Sequence, residues 1–265
     1  MIMRKLWILL FWLGITAYTI IALGFTSGKQ SEQICEKITV TVIDSVYNRF
    51  VTHNDIMDIL VESDIDLLGY KLGSINTNEL ELMLESEPFI KRAEVYKTVN
   101  GALNAEIEQR RPILRVINRQ GESYYIDEEG VMLPLSDKFT SRTLVANGYI
   151  SEPFVAGNTG TVFEAGETTV KRDRVIFDLY ELALFISHSE LWSAQIAQIY
   201  VNSRYEYELI PRVGAHIIKM GDASRYEKKF RKLEALYFYG LNNQGWNNYE
   251  VINLKYENQV VCTKR

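Results

Sequence analysis

Hydrophobic positions along the chain change their spacing several times, and each change marks an element. Residues 6–25, LWILLFWLGITAYTIIALGF, carry no charge. As a helix they are long enough to cross a bilayer core of roughly 30 Å, which predicts an N-terminal transmembrane helix. Arg4 and Lys5 precede the run, so the positive-inside rule keeps residues 1–5 cytoplasmic and puts the bulk of the chain outside. A cleaved signal peptide is the competing reading, because small Ala22 and Gly24 flank Leu23 like a cleavage site. The apolar run exceeds the roughly 7 to 15 residues that such segments use, which favours the anchor. Residues 26–37 read as a polar tether.

Beyond the tether, residues 38–44 (ITVTVID) alternate and predict a half-buried strand. Thr52 with Asp55 three residues on caps a helix whose stripe is Ile56, Ile59 and Leu60, and Gly69 ends the pattern. Asn76 with Glu79 caps a second helix that carries Leu80, Met83 and Leu84 inward and must stop before Pro88. The period then drops to two. Residues 90–98 and 102–109 flank Asn100-Gly101, which predicts a tight hairpin with both central residues at positive φ. Strand, helix, helix, strand, strand is an α+β arrangement, with two helices on one face of a three-stranded sheet over residues 38–111.

A second unit, residues 112–265, opens on Pro112 and a strand over 113–118, and the Gln120-Gly121 turn returns the chain through 123–126. Residues 151–169 are polar and Gly-rich, an exposed and mobile connection. An amphipathic helix follows over 170–188, then strands over 194–201, 205–211 and 214–220. Residues 224–240 predict a third helix with Tyr226, Phe230, Leu233, Leu236 and Tyr237 inward. Its basic face, Arg225, Lys228, Lys229, Arg231 and Lys232, reads as solvated surface. Strands over 249–256 and 259–263 close the unit around Glu257-Asn258, giving a mixed β domain with helices on one face.

Composition narrows the function classes. Hydrophobic residues make up 47%, which with the remaining length supports true cores. The net charge of -5, with Lys and Arg scattered among acids, gives no footprint for nucleic acid. Cys35 and Cys262 fit two free thiols, favoured here, or one long-range bridge. Partial catalytic constellations are missing: His53, His188 and His216 stand far apart without Cys or Glu at ligand spacing, and no phosphate-binding loop or nucleophile elbow is present. Asp127, Glu128 and Glu129 lack the spacing of a calcium loop and read as a solvated turn. Neither enzyme, cofactor, metal site nor small-molecule substrate is indicated.

Several phrases carry a family resemblance. Pro88-Phe89-Ile90, Ala93-Glu94-Val95 and Ile107-Glu108-Gln109 with Pro112 resemble the POTRA domain of the FtsQ/DivIB cell-division family. Tyr125-Ile126-Asp127-Glu128-Glu129-Gly130-Val131 with Leu133-Pro134-Leu135 resembles that family's turn and Leu-Pro step. Residues 251–261, VINLKYENQVV, resemble its terminal strand, with Asn253 where an acid is usual and Lys255 where Arg is common.

The resemblance implies a non-enzymatic, single-pass protein of the inner membrane, its bulk periplasmic, that scaffolds septal wall-synthesis proteins at the division site. In that family the last strands receive a segment of FtsB/FtsL-type coiled-coil partners. By position, Lys255 and Tyr256 match the family's basic residue and Tyr, and Val260 and Val261 match the small apolar pair beyond the turn. Lys255 would then pair with a partner acid and Tyr256 would anchor an apolar partner side chain, unless Tyr256 only covers its own sheet. Strand addition suits this place, because a strand late in a chain often lies at a sheet edge with free backbone groups. A membrane-anchored POTRA transport or secretion component and a periplasmic enzyme are the alternative classes.

Overall fold

The computed structural model describes residues 7, 11–21, 32–43, 48–62, 67–155, 161–163, 170, 173–241 and 245–265. The chain divides into two compact units, Met1–Gln109 and Arg110–Arg265. Residues 11–21 are helical and exposed. Among the described residues no helix is long and apolar enough to cross a membrane. Residues 6, 8–10 and 22–25 of the uncharged run lie outside the described set.

The first unit contains β1 (Lys37–Ile43), α1 (His53–Glu62), α2 (Thr77–Glu85), β2 (Ile90–Lys97) and β3 (Ala102–Gln109). Its sheet order is β1-β3-β2, with β1 parallel and β2 antiparallel to β3. Local chemistry accounts for the helix starts. The Thr52 N–H and hydroxyl both donate to Asp55 Oδ2 at 2.8 Å, and Asn76 Oδ1 accepts the Glu79 N–H at 3.4 Å. Every second residue of β3, from Leu103 to Gln109, is buried, with Ile56 and Leu60 of α1 and Leu80 and Leu84 of α2 supplying the helical part of the core.

The hairpin forms where the sequence places it, but by a different turn. Only Gly101 has positive φ (79°), and the Thr98 N–H and hydroxyl both donate to Ala102 O. A loop of Thr98 to Gly101 with one left-handed glycine therefore replaces the two-residue turn. Residues 32–36, read as tether, are attached to this unit. Cys35 is buried, and its N–H donates to Tyr70 O at 2.7 Å while Glu36 N–H donates to Gly101 O.

The second unit is built on a nine-stranded mixed sheet of order β12-β11-β10-β9-β8-β7-β4-β5-β6. Its elements are β4 (Pro112–Ile117), β5 (Ser123–Asp127), β6 (Met132–Leu133), β7 (Leu144–Gly148), α3 (Val175–Ser187), α4 (Glu190–Gln195), β8 (Ile196–Val201), β9 (Tyr207–Pro211), β10 (Ile217–Gly221), α5 (Tyr226–Ala235), β11 (Tyr249–Asn253) and β12 (Val261–Lys264). A π-helical turn, Leu236–Leu241, extends α5. One hydrophobic cluster joins Leu179, Leu182 and Ile186 of α3, Trp192 of α4 and Phe230 and Leu233 of α5 to alternate strand residues such as Val116, Ala146, Ile199, Leu209, Ile218 and Ile252.

Several expectations are corrected here. Strand β7, between β4 and β8 and parallel to both, has no clear alternating signal in the sequence. Ala194 and Gln195 end a short helix capped by Ser189 instead of starting a strand. His216 precedes β10 and does not lie in it. Within 151–169, Val162 is wholly buried and its N–H donates to Gly130 O, so this point of the connection is pinned to the core. Residues 156–160 and 164–169 lie outside the described set. Asp127 is not solvated: it is 2% exposed and ion-paired with Arg110 at 2.9 Å.

Candidate docking edge at the last strand

Strand β12 pairs with β11 and, among the described residues, has no strand on its other side. Its outer N–H and C=O groups are therefore open to a further strand. Val261 stands opposite Asn253 and is 39% exposed, while Cys262 stands opposite Ile252 and is turned toward the core. Val260, just before the strand, is half-buried against the same core. Tyr256, in the turn that feeds the edge, is 49% exposed. Thus Tyr256 and Val261 present apolar surface beside the open backbone, and Val260 faces mainly inward.

The turn is more ordered than its sequence suggests. β11 stops at Asn253 because Asn253 Oδ1 accepts the Lys255 N–H at 3.0 Å, an Asx turn that draws the chain out of the ladder. Where an acid is usual, the Asn carbonyl thus performs this acceptor role. Lys255 Nζ lies 2.6 Å from Glu206 Oε1 of its own chain. The hydrogen bond from Lys255 holds the Glu206 carboxyl below the usual carboxylate range. An incoming acid at Lys255 would therefore compete with an existing partner. At the far end of β12, Arg265 N–H donates to Asn248 O and its guanidinium to Ala215 O at 2.9 Å.

The basic face of α5 is only partly solvated, contrary to its reading from sequence. Lys229 is buried and donates to Asp222 O and Oδ1, both at 2.8 Å. Lys232 Nζ donates to Leu254 O at 3.1 Å and also to Tyr256 O, and Arg225 pairs with Glu257. Burial lowers the Lys232 pKa, and neighbouring Lys229 and Arg225 lower it further. Lys228 and Arg231 remain exposed. The sequence shows the helical spacing of these cations, but it does not show that the carbonyls they meet come from a turn more than twenty residues downstream.

The other concentration of titratable groups in this unit ties loops to the sheet. Tyr124 Oη and Asn118 Nδ2 donate to Glu152 O at 3.1 and 3.2 Å, and Tyr207 Oη donates to Asp178 Oδ2 at 2.9 Å. Arg174 Nε meets the other oxygen of Asp178 at 2.8 Å. Burial pushes the Tyr124 and Tyr207 hydroxyls up, so both stay protonated donors. Burial also raises Glu152 above its ordinary 4.5, opposed in part by backbone hydrogen bonds. A carboxyl raised in the folded state contributes stability that is complete below pH 4.5 and lost as pH rises through the raised value. Urea midpoints of the native chain relative to Glu152→Gln should therefore fall from acid toward neutral pH, and a flat difference would contradict this.

The histidines have structural partners. His53 Nδ1 lies 3.2 Å from Val40 O, His188 caps the C-terminus of α3, and buried His216 Nε2 lies 3.2 Å from Tyr237 Oη. Burial lowers the His216 pKa, which keeps the ring neutral. Cys35 and Cys262 are free thiols. Among the described residues no group of three or more His, Cys, Asp or Glu side chains could hold a metal ion.

Residues 111–263 match the family model described as FtsQ/DivIB, C-terminal related. Residues 33–108 match the model of a POTRA-like domain. No curated protein matches the chain.

Proposed function

The chain belongs to the FtsQ/DivIB family of cell-division proteins, and from that premise we propose that it is a membrane-anchored scaffold that binds its partners by strand addition at β12. The uncharged run over residues 6–25, preceded by Arg4 and Lys5, supports a single-pass anchor with the N-terminus in the cytoplasm and the two units in the periplasm at the septum. FtsB/FtsL-type coiled-coil proteins are the proposed partners, and other septal wall-synthesis proteins join through the same assembly. It carries out no catalysis.

One observation carries the docking reading: β12 is an edge strand of the nine-stranded sheet, open among the described residues, and Tyr256 and Val261 are exposed beside it. Backbone pairing would supply affinity, while Tyr256 and Val261 would select the side chains that follow. Lys255 contributes by exchanging Glu206 for a partner acid, and Val260 by keeping the start of the strand seated on the core.

Tyr256→Lys is the sharpest test, because the ring is exposed and its loss leaves the core intact. Capture of an FtsB/FtsL-type partner should weaken by at least roughly thirtyfold, the loss expected of an interface anchor worth about 2 kcal/mol. Deletion of residues 259–265 should abolish capture. Undiminished capture by both variants, each with a native unfolding midpoint for the rest of the unit, would rule out the edge as the docking seam.

A further inference from the structure

We propose that Lys232 of α5 and Arg225, the residue just before that helix, are positioning residues that hold the 254–257 turn and so present the open edge of β12 in a preformed register. This inference rests on the docking reading above. β11 ends at Asn253 and β12 begins at Val261, so residues 255–260 between them belong to neither strand. Such a connection would ordinarily fray, and with it the first residues of an edge strand held on one side only. Here Lys232 Nζ bridges two carbonyls of the turn, Leu254 O and Tyr256 O, while Arg225 meets Glu257 one residue on. Leu254 N–H also donates to Lys219 O at 2.9 Å, so the turn is anchored to β10 before it reaches α5.

The clamp has little freedom to slide. Lys229 fixes the approach to α5 by its two bonds to Asp222, and Lys255 ties the same turn to Glu206 on its other side. Gly221 lies against this arrangement, because a Cβ there would stand 2.9 Å from Lys255 Cγ. Binding by strand addition costs least when the receiving strand is already ordered. The α5 cations therefore act on docking through the turn and need not touch the partner.

Amide hydrogen exchange and partner capture, measured on the full chain with the soluble part of an FtsB/FtsL-type coiled-coil protein as probe, test the inference together. Lys232→Met should speed exchange at residues 261–264 on the order of tenfold, the loss expected for charge-assisted bonds, while residues 196–201 of β8 exchange as before. Capture should weaken by a similar factor, and Lys232→Arg, which can still donate to both carbonyls, should restore both. Glu257→Gln, a fully surface change, should move both readouts in the same direction by less. Unaltered exchange at 261–264 in Lys232→Met would overturn the inference, as would faster exchange with full capture. Full capture by Tyr256→Lys is a separate result: it removes the docking reading, whereas exchange still reports whether α5 holds the turn.

Discussion

Asp127→Ala should destabilise the second unit by about 3–5 kcal/mol, the range for removing one partner of a buried ion pair. The carboxylate is 2% exposed, and its two oxygens serve three donors. Oδ2 accepts from Arg110 Nη1 at 2.9 Å, and Oδ1 accepts the N–H groups of Glu129 and Val131 at 2.9 and 2.8 Å. Alanine would strand the Arg110 guanidinium, itself nearly buried, with only the half-exposed Glu129 at 3.4 Å. It would also orphan two backbone donors in the turn that positions Gly130, whose carbonyl receives Val162 N–H.

Tryptophan fluorescence during urea unfolding suits the measurement, because Trp192 is buried in the core of this unit. Arg110→Met with Asp127→Leu should recover much of the loss, since replacing both members of a buried pair by apolar groups is often near neutral. If Asp127→Ala shifted stability by less than about 1 kcal/mol, the pair would be no more than a surface contact in effect.

The same carboxylate shows where sequence reading reaches its limit. Asp127, Glu128 and Glu129 look like a solvated acidic turn in one dimension, but only Glu129 is exposed, and Glu128 is half-buried beside Arg111. Asp127 differs because, as the last residue of β5 opposite Pro112, it is closed in by its own partners, the Arg110 guanidinium and two N–H groups of the turn. The first unit was legible almost throughout, since its signals are local: Thr52 with Asp55, Asn76 with Glu79, and a glycine four residues after β2. Even there, Asn100-Gly101 located the hairpin without revealing that only the glycine takes positive φ.

The second unit depends on partners far apart in the chain, and there the reading thinned. β7 is short and central, and its identity as a strand comes from β4 and β8 on either side. The edge itself was legible as a strand late in the chain, although strands read over 249–256 and 259–263 place Tyr256 and Val260 inside them, whereas both lie in the connection between β11 and β12. Its support was not, because Glu206 lies 49 residues before Lys255 and the cations of α5 look like ordinary helix surface until the turn is folded onto them. Charge spacing finds a face, whereas only tertiary structure shows which carbonyls that face meets.

Gly148→Ala should be the most damaging single methyl group in the second unit, costing more than about 4 kcal/mol. Gly148 has φ of 105°, a conformation that strains any residue with a Cβ. The added atom would also stand 2.2 Å from Val201 O, 2.9 Å from Tyr200 Cε2 and 3.0 Å from Val201 N. Backbone cannot yield as a flexible side chain does. Gly148 and Val201 are register partners, and Tyr149 N–H donates to that same carbonyl, so relief requires parting β7 from β8. These two strands lie between β4 and β9 in the middle of the sheet, so the damage spreads to both halves.

Gly121→Ala separates conformation from contact. Gly121 has φ of 86° in the turn between β4 and β5, and nothing lies within 4 Å of its would-be Cβ. It should therefore lose only the left-handed strain, about 1–2 kcal/mol. Urea midpoints of the two variants measured side by side should thus differ severalfold in their displacement from the native chain. Equal displacement would mean that φ alone sets the cost, and the close approach of β7 to the Val201 carbonyl would then have no energetic weight.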